Sequence, residues 1–211
     1  MKKFLALLLA VMMVMTLAAC GADADKELTE KIQGSWTLEL TMNGDMMGVS
    51  EFTGEIALPI TITFDADGIM TMHMTEENKA VFTESLETEM YTFMTDMMYS
   101  QFEDMGMTRE EADAAVQEYY GQTMEELIEE LMADVMAELD ADELAAEMES
   151  SSAYIIKNGK LYTGESTDDL DVMECNEIEL SGNTLKLLSS NAASTWEDLN
   201  LTFPITLTRA D

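Results

Sequence analysis

Met70-Thr71-Met72-His73-Met74 is the string in this 211-residue chain that comes nearest to a metal site. Thioethers are soft ligands that select Cu(I), and Met at alternate positions of a strand share one face. The same alternation puts His73 on the opposite face. The chain holds 21 Met, so such runs arise from composition, and flexible core packing is the reading the pattern favours. The stripes at Met90, Met94 and Met97 and at Met132 and Met136 have helical spacing, which favours core over pocket. Asp65-Ala66-Asp67-Gly68 echoes part of a calcium loop. Met74 stands where that loop needs a Glu, so a turn is expected instead. The one His excludes a multi-His metal centre and argues against Ser-His-Asp or Cys-His chemistry. Carboxylate pairs abound by chance, and none stands in a glycosidase setting. No nucleophile elbow, P-loop or dinucleotide fingerprint is present in the sequence. The expectation is a protein that is not an enzyme and needs no metal or cofactor.

Charge narrows the partners. Asp and Glu number 43 against 10 Lys and Arg, a formal net charge of −33. Nucleic-acid binding by counterion release needs clustered Lys and Arg, so no nucleic-acid partner is expected. The same charge opposes docking on an anionic membrane surface. A hydrophobic content of 47% is enough for a packed core, which separates the chain from disordered acidic tails. Residues 76–150 carry 23 of the acids and only Lys79 and Arg109 in return. Those acidic residues read as a solvated helical face that could attract a basic partner.

The N-terminus reads as an address. Lys2 and Lys3 precede an apolar stretch from Phe4 to Ala19 that is short for a membrane span and ends in small residues. Leu17-Ala18-Ala19-Cys20 resembles the lipobox of bacterial lipoproteins. That resemblance implies cleavage before Cys20 and diacylation of its sulfur. Two acyl chains suffice for stable anchoring. The expected location is the extracytoplasmic face of the cell membrane, with the membrane as a partner through the diacylglyceryl anchor. Gly21 to Asp25 reads as a polar leash. With Cys20 acylated, Cys175 has no disulfide partner and reads as a small buried side chain.

Around the acidic segment the apolar period is two. Trp36, Leu38, Leu40 and Met42 alternate with polar residues, and Asn43-Gly44 follows as a turn signal. Ile56, Leu58, Ile60, Ile62 and Phe64 alternate again, with Pro59 pointing to an edge or irregularity. Met70, Met72 and Met74 continue the inward face after the turn at Asp65. Tyr154 to Lys157, Asn158-Gly159 and Lys160 to Thr163 form a hairpin. Met173 to Leu180 and Thr184 to Leu188 form another, and Leu201 to Leu207 a last strand. These make eight short antiparallel strands, enough to close a barrel that is filled or holds one small ligand.

The middle segment changes to helical period. Phe82, Leu86, Met90, Phe93, Met94, Met97 and Phe102 form one stripe. Thr108-Arg109-Glu110-Glu111 is a capping box for a second helix that Gly121 ends. Thr123 to Glu126 caps a third, and a short fourth runs toward Met148. The expected fold is mainly β with an α insertion, an eight-stranded antiparallel barrel interrupted by acidic helices. The expected bounds are 1–19 for the signal peptide, 20–31 for the lipidated Cys and leash, 32–75 and 153–211 for the barrel, and 76–152 for the insertion.

Gly34-Ser35-Trp36 opening the first strand and Arg209 on the last resemble the lipocalin superfamily, as do the hairpins at 64–68 and 154–161. The resemblance covers the two flanks and implies an Arg209 side chain packed over Trp36. It implies a binding or structural module rather than an enzyme. The expected function is noncatalytic binding of a small apolar or amphipathic ligand. Trp36, Leu38, Leu40, Ile60, Ile62, Met70 and Met72 are the expected interior, and the helices a lid. The alternative is a protein-interaction or scaffolding module of the cell envelope, with a filled barrel, the acidic helices as contact surface and another envelope protein as partner. Cavity volume separates the two, since ligand pockets generally exceed about 300 Å³.

Overall fold

The computed structural model describes residues 23–138, 141–192 and 201–210. Cys20 and the signal segment lie outside the described residues. Eight strands form a closed antiparallel barrel in chain order: β1 (Gly34–Met42), β2 (Ile56–Phe64), β3 (Ile69–His73), β4 (Ser150–Lys157), β5 (Lys160–Gly164), β6 (Glu174–Ser181), β7 (Thr184–Ser190) and β8 (Ile205–Arg209). Among the described residues, six α-helical pieces and a 3₁₀ turn at Leu170–Val172 accompany them. α1 occupies residues 23–32 and α2 is Gly44–Met47. α3 (Glu76–Asp104), α4 (Arg109–Tyr120), α5 (Met124–Glu138) and α6 (Ala141–Met148) fall between β3 and β4.

The chain divides into two compact units. Among the described residues, one comprises 23–38, 61–73, 149–192 and 201–210, the other 39–60, 74–138 and 141–148. In the first, β3 pairs with β4 across the whole insertion, Ile69 opposite Ala153 and Met72 opposite Ser150. β1 pairs with β8, Trp36 opposite Arg209, which closes the ring between residues far apart in sequence. Local turns set the remaining registers. Asn158 and Gly159 both take positive φ, as a two-residue hairpin turn requires. Asp65 Oδ1 accepts from the amides of Asp67 and Ile69, both at 2.8 Å, so this acidic loop is a turn held by its own carboxylate. The core of this unit includes Ile32, Trp36, Leu185 and Leu207, each at most 1% exposed. Burial of such side chains stabilises by about 1.5–3 kcal/mol apiece.

Three details depart from the sequence reading. Residues 23–32, expected within an extended leash, are helical, and Asp25 accepts from the amides of Asn158 and Gly159 at 2.8 Å each. Ile32 supplies the apolar contact that holds this helix, since it is fully buried. Asn43-Gly44 does not make a tight hairpin: the Asn43 side chain accepts from the Met46 amide and caps α2, and β2 starts only at Ile56. The last strand begins at Ile205 rather than Leu201, directly after Pro204, which has no N–H to donate to a ladder.

In the second unit the helices start as their caps dictate. Thr75 caps α3 by accepting from the Asn78 amide. Thr108 and Glu111 exchange bonds in a capping box at α4, and Thr123 and Glu126 do the same at α5. Glu or Asp fills the first turn of each helix from α3 to α6, where the helix dipole favours it. Ala112, Val116, Met124, Ile128 and Met132 form the helical core, with Met90, Met94 and Met136 packed against it. The segment before β2 docks on α3. Phe52 meets Phe93 edge-on at 5.5 Å, and Ser85 Oγ accepts from the Ala57 amide at 2.8 Å. Among the described residues no helix is long and apolar enough to cross a membrane.

A candidate binding cavity in the barrel

Period-two alternation sends every second side chain of each strand inward. On seven strands those inward positions enclose a cavity of about 210 Å³. Ile62 and Phe64 come from β2, Met70 and Met72 from β3, and Ser150 from β4. Leu161 and Thr163 come from β5, Leu185 and Leu187 from β7, and Leu207 from β8. Phe64 is held by an edge contact to Tyr154 with ring centroids 5.0 Å apart. The Tyr154 hydroxyl donates to the Asp65 carbonyl at 2.6 Å, and burial pushes its phenol pKa up.

β6 supplies the polar end. Glu174 and Asn176 line the cavity on the same alternate set as Ile178 and Leu180. Asn176 Nδ2 donates to Glu174 Oε1 at 3.0 Å, and Ser190 Oγ donates to the same oxygen at 3.0 Å. Asn176 is 2% exposed, and its Oδ1 has no hydrogen-bond partner among the described residues. Thr163, also buried, adds a hydroxyl to the lining. The register shift between Glu177 and Ile178 against β7 follows directly after these residues. Bulges of this kind re-aim side chains beside sites.

Of the seven residues expected to form the interior, Ile62, Met70 and Met72 line this cavity. Leu38, Leu40 and Ile60 are buried but outside its lining. Trp36 is fully buried and also outside it. Its indole Nε1 donates to the Ile32 carbonyl at 2.7 Å. The Arg209 guanidinium lies 4.4 Å over the indole ring and donates to the Lys31 and Gln33 carbonyls at 2.7 and 3.1 Å. This pair joins α1 to the strands that close the barrel. Gly34 makes room for it, because a Cβ there would stand 2.8 Å from Arg209 Nη1.

The other nine lining residues fall outside the expected set, among them the apolar Phe64, Leu161, Leu185, Leu187 and Leu207 and the polar Glu174 and Asn176. For the polar pair the signal was present in the alternation: Ile178 and Leu180 inward put residues 176 and 174 inward too. Attention to apolar positions hid the polar ones on the same face.

The other candidates have plainer roles. Met70 and Met72 project into the apolar cavity, and Met74 is core. His73 is half-buried, with Nδ1 unpartnered among the described residues. No group of three or more His, Cys, Asp or Glu among the described residues is placed to hold a metal ion. Cys175 is half-buried rather than buried, because it takes the outward set of β6 opposite Tyr162. The hydrogen bond between them raises the Tyr162 phenol pKa. In the helical unit an open groove of about 770 Å³ carries Glu51, Glu89 and Asp96 beside Phe93 and Met97. The barrel cavity differs from that groove in carrying one carboxylate, Glu174, where the groove carries three. No family model, curated protein or solved structure matches the chain.

Proposed function

We propose that this protein is a noncatalytic binding protein of lipocalin-like type, which holds one small apolar or amphipathic molecule inside its barrel. The observation that carries the reading is the cavity of about 210 Å³, with apolar lining from five strands and polar lining that includes Glu174 and Asn176 on β6. Its volume is below the range of drug-sized pockets, so the occupant is small. An apolar cavity of about 150 Å³ already accepts benzene, which sets the scale at a bicyclic ring or a short alkyl chain. The cavity falls short of the roughly 300 Å³ that ligand pockets generally exceed, so what favours binding over an interaction module is its mostly apolar lining rather than its volume. The Leu17-Ala18-Ala19-Cys20 lipobox supports anchoring through Cys20 on the extracytoplasmic face of the membrane, where such a protein would meet molecules crossing the envelope.

Native mass spectrometry of the full chain purified from its host tests the binding. A reproducible extra mass, lost on denaturation and absent from a Leu187→Trp variant that fills the cavity, is the expected result. The bare chain mass in both proteins, with no small apolar compound adding to either, would overturn the reading. Fractionation tests the address: Cys20→Ser is expected to move the protein out of the membrane fraction, and its retention there would count against the anchor.

A further inference from the structure

The groove of about 770 Å³ lies wholly within the helical unit, between segment 49–54 and one face of α3. α3 lines it with Glu89, Phe93, Asp96, Met97 and Ser100, a spacing of threes and fours that keeps to one helical face. Met90, Met94 and Phe102 of the same helix turn to the helical core instead. From Glu89 to Gln101 the groove runs about 18 Å, at 1.5 Å per helical residue. Its apolar side chains reach solvent, Met97 at 40% exposure and Val49 at 38%. A Cβ on Gly54 would run into Glu89 Oε2 and the Phe52 ring, so the bare glycine is what lets that carboxylate lie against the other wall.

Charge decides what such a groove takes. Glu51, Glu89 and Asp96 line it, with no Lys or Arg beside them in the lining. Among the described residues only Asp96 of the three faces a cation, Arg109 at 3.8 Å, and it shares that cation with Glu103 and the Tyr99 ring. Lys79, the other basic residue of the helical unit, is held by Glu76 and Asp142 at 2.8 and 2.6 Å. A second copy of the chain would bring −33 against −33, and an anionic lipid surface is repelled in the same way. Independently of the barrel cavity, we propose that this groove docks a basic amphipathic helix of a partner protein. Apolar side chains of that helix seat on Val49, Phe93 and Met97, and its Lys or Arg side chains meet Glu51, Glu89 and Asp96. Glu89 and Asp96 stand about two turns apart with Phe93 between them. The matching partner therefore carries basic residues at the same interval around an apolar one, as the helix-in-groove mode of recognition reads its anchors.

Fluorescence anisotropy with the full chain and two labelled peptides of about four helical turns tests this. One is a Leu/Lys peptide of helical period; the other keeps its lysines and replaces each Leu by Ser. At about 0.15 M salt the Leu/Lys peptide is expected to bind about tenfold tighter, since the Ser/Lys peptide has the charge without the apolar stripe. The isosteric double variant Glu51→Gln, Glu89→Gln is expected to weaken that binding about five- to tenfold, the worth of two exposed ion pairs. Glu125→Gln with Glu129→Gln on α5 removes the same charge outside the groove and is expected to change it less than about twofold. Met97→Ser is expected to weaken binding with no change of charge. Nitrogen-15 NMR of the wild type needs no variant: amide shifts on adding the Leu/Lys peptide are expected to concentrate at residues 49–54 and 89–101. Equal binding of the two peptides, equal losses from the two double variants, shifts spread over the whole acidic surface, or no binding at all would each overturn the proposal. Sedimentation showing a dimer that Met97→Ser dissolves would assign the groove to a second copy and overturn it too.

Discussion

Arg209→Ala puts the closure of the barrel to a quantitative test. The guanidinium does three things at one place. It stacks on the Trp36 indole at 4.4 Å, which is worth about 0.5–1 kcal/mol at a partly exposed site. It donates to the Lys31 and Gln33 carbonyls at the end of α1, which intrahelical bonds leave without partners. Each such charge-assisted bond is worth about 1.5 kcal/mol at the low end, appropriate because water can replace the donor on exposed carbonyls. Together the loss is about 3.5–4 kcal/mol, a large part of an ordinary domain's stability. Arg209→Lys keeps the charge but cannot fork to two carbonyls while lying flat on a ring, so it recovers less than half of this. The assay is urea unfolding followed by circular dichroism, with hydrogen exchange to localise the effect. The amides of α1 and of the β1–β8 ladder are expected to lose protection first, because Arg209 ties those two features together. A loss below about 1 kcal/mol, a lysine variant equal to wild type, or uniform loss of protection would refute the reasoning. Gly34→Ala is a companion probe. It adds a Cβ 2.8 Å from Arg209 Nη1 at a φ of +113°, so it destabilises even when Arg209 is also truncated, since the backbone strain remains.

Asp25→Ala removes the carboxylate that receives the Asn158 and Gly159 amides, and exchange at those two amides is expected to quicken by about an order of magnitude. No change there would mean that α1 is not tied to the β4–β5 turn. The capping box of α4 predicts a pH effect. Bonds from the Thr108 backbone and hydroxyl hold the Glu111 carboxyl below the usual carboxylate range. Its contribution is complete above the ordinary glutamate value and disappears as pH falls through the lower folded value. The stability difference between wild type and Glu111→Gln, measured at the α4 amides, should therefore shrink on acidification; a growing difference would reverse the sign of this assignment. Salt should stabilise the protein. With a net charge of −33 and exposed ion pairs such as Lys31–Glu27 and Lys160–Glu177, screening removes more repulsion than attraction. Raising sodium chloride from about 0.01 to about 1 M is expected to raise the melting temperature, and a falling value would contradict the balance.

The fold was readable where its causes are local. The alternation from Trp36 to Met42 and from Ile56 to Phe64, the Asn158-Gly159 turn and the Thr108 and Thr123 caps each act within a few residues, and each element stands where those signals put it. Local signals also mislead where a second use exists. Asn43-Gly44 serves equally as a hairpin turn or as a helix start, and the chain takes the second. Residues 23–32 do carry a helical signal, Ala24, Leu28 and Ile32 four apart with the Lys26–Glu30 and Lys31–Glu27 pairs at the same spacing, but in so short a segment it is the burial of Ile32 that makes the helix hold.

The sequence by itself determined the eight strands, the helices of the insertion, its acidic surface and its place between β3 and β4, because period, capping and turn chemistry are properties of short segments. The resemblance alone implies the Arg209–Trp36 contact, and only the tertiary structure shows that Arg209 also ties the Lys31 and Gln33 carbonyls into the closure of β1 on β8. Tertiary structure also decided that the chamber keeps about 210 Å³ unfilled and that Asn176 Oδ1 is left without a partner among the described residues. Volume left over and a hydrogen bond left unmade are sums over side chains from seven strands. No stretch of chain carries such a sum within its own pattern.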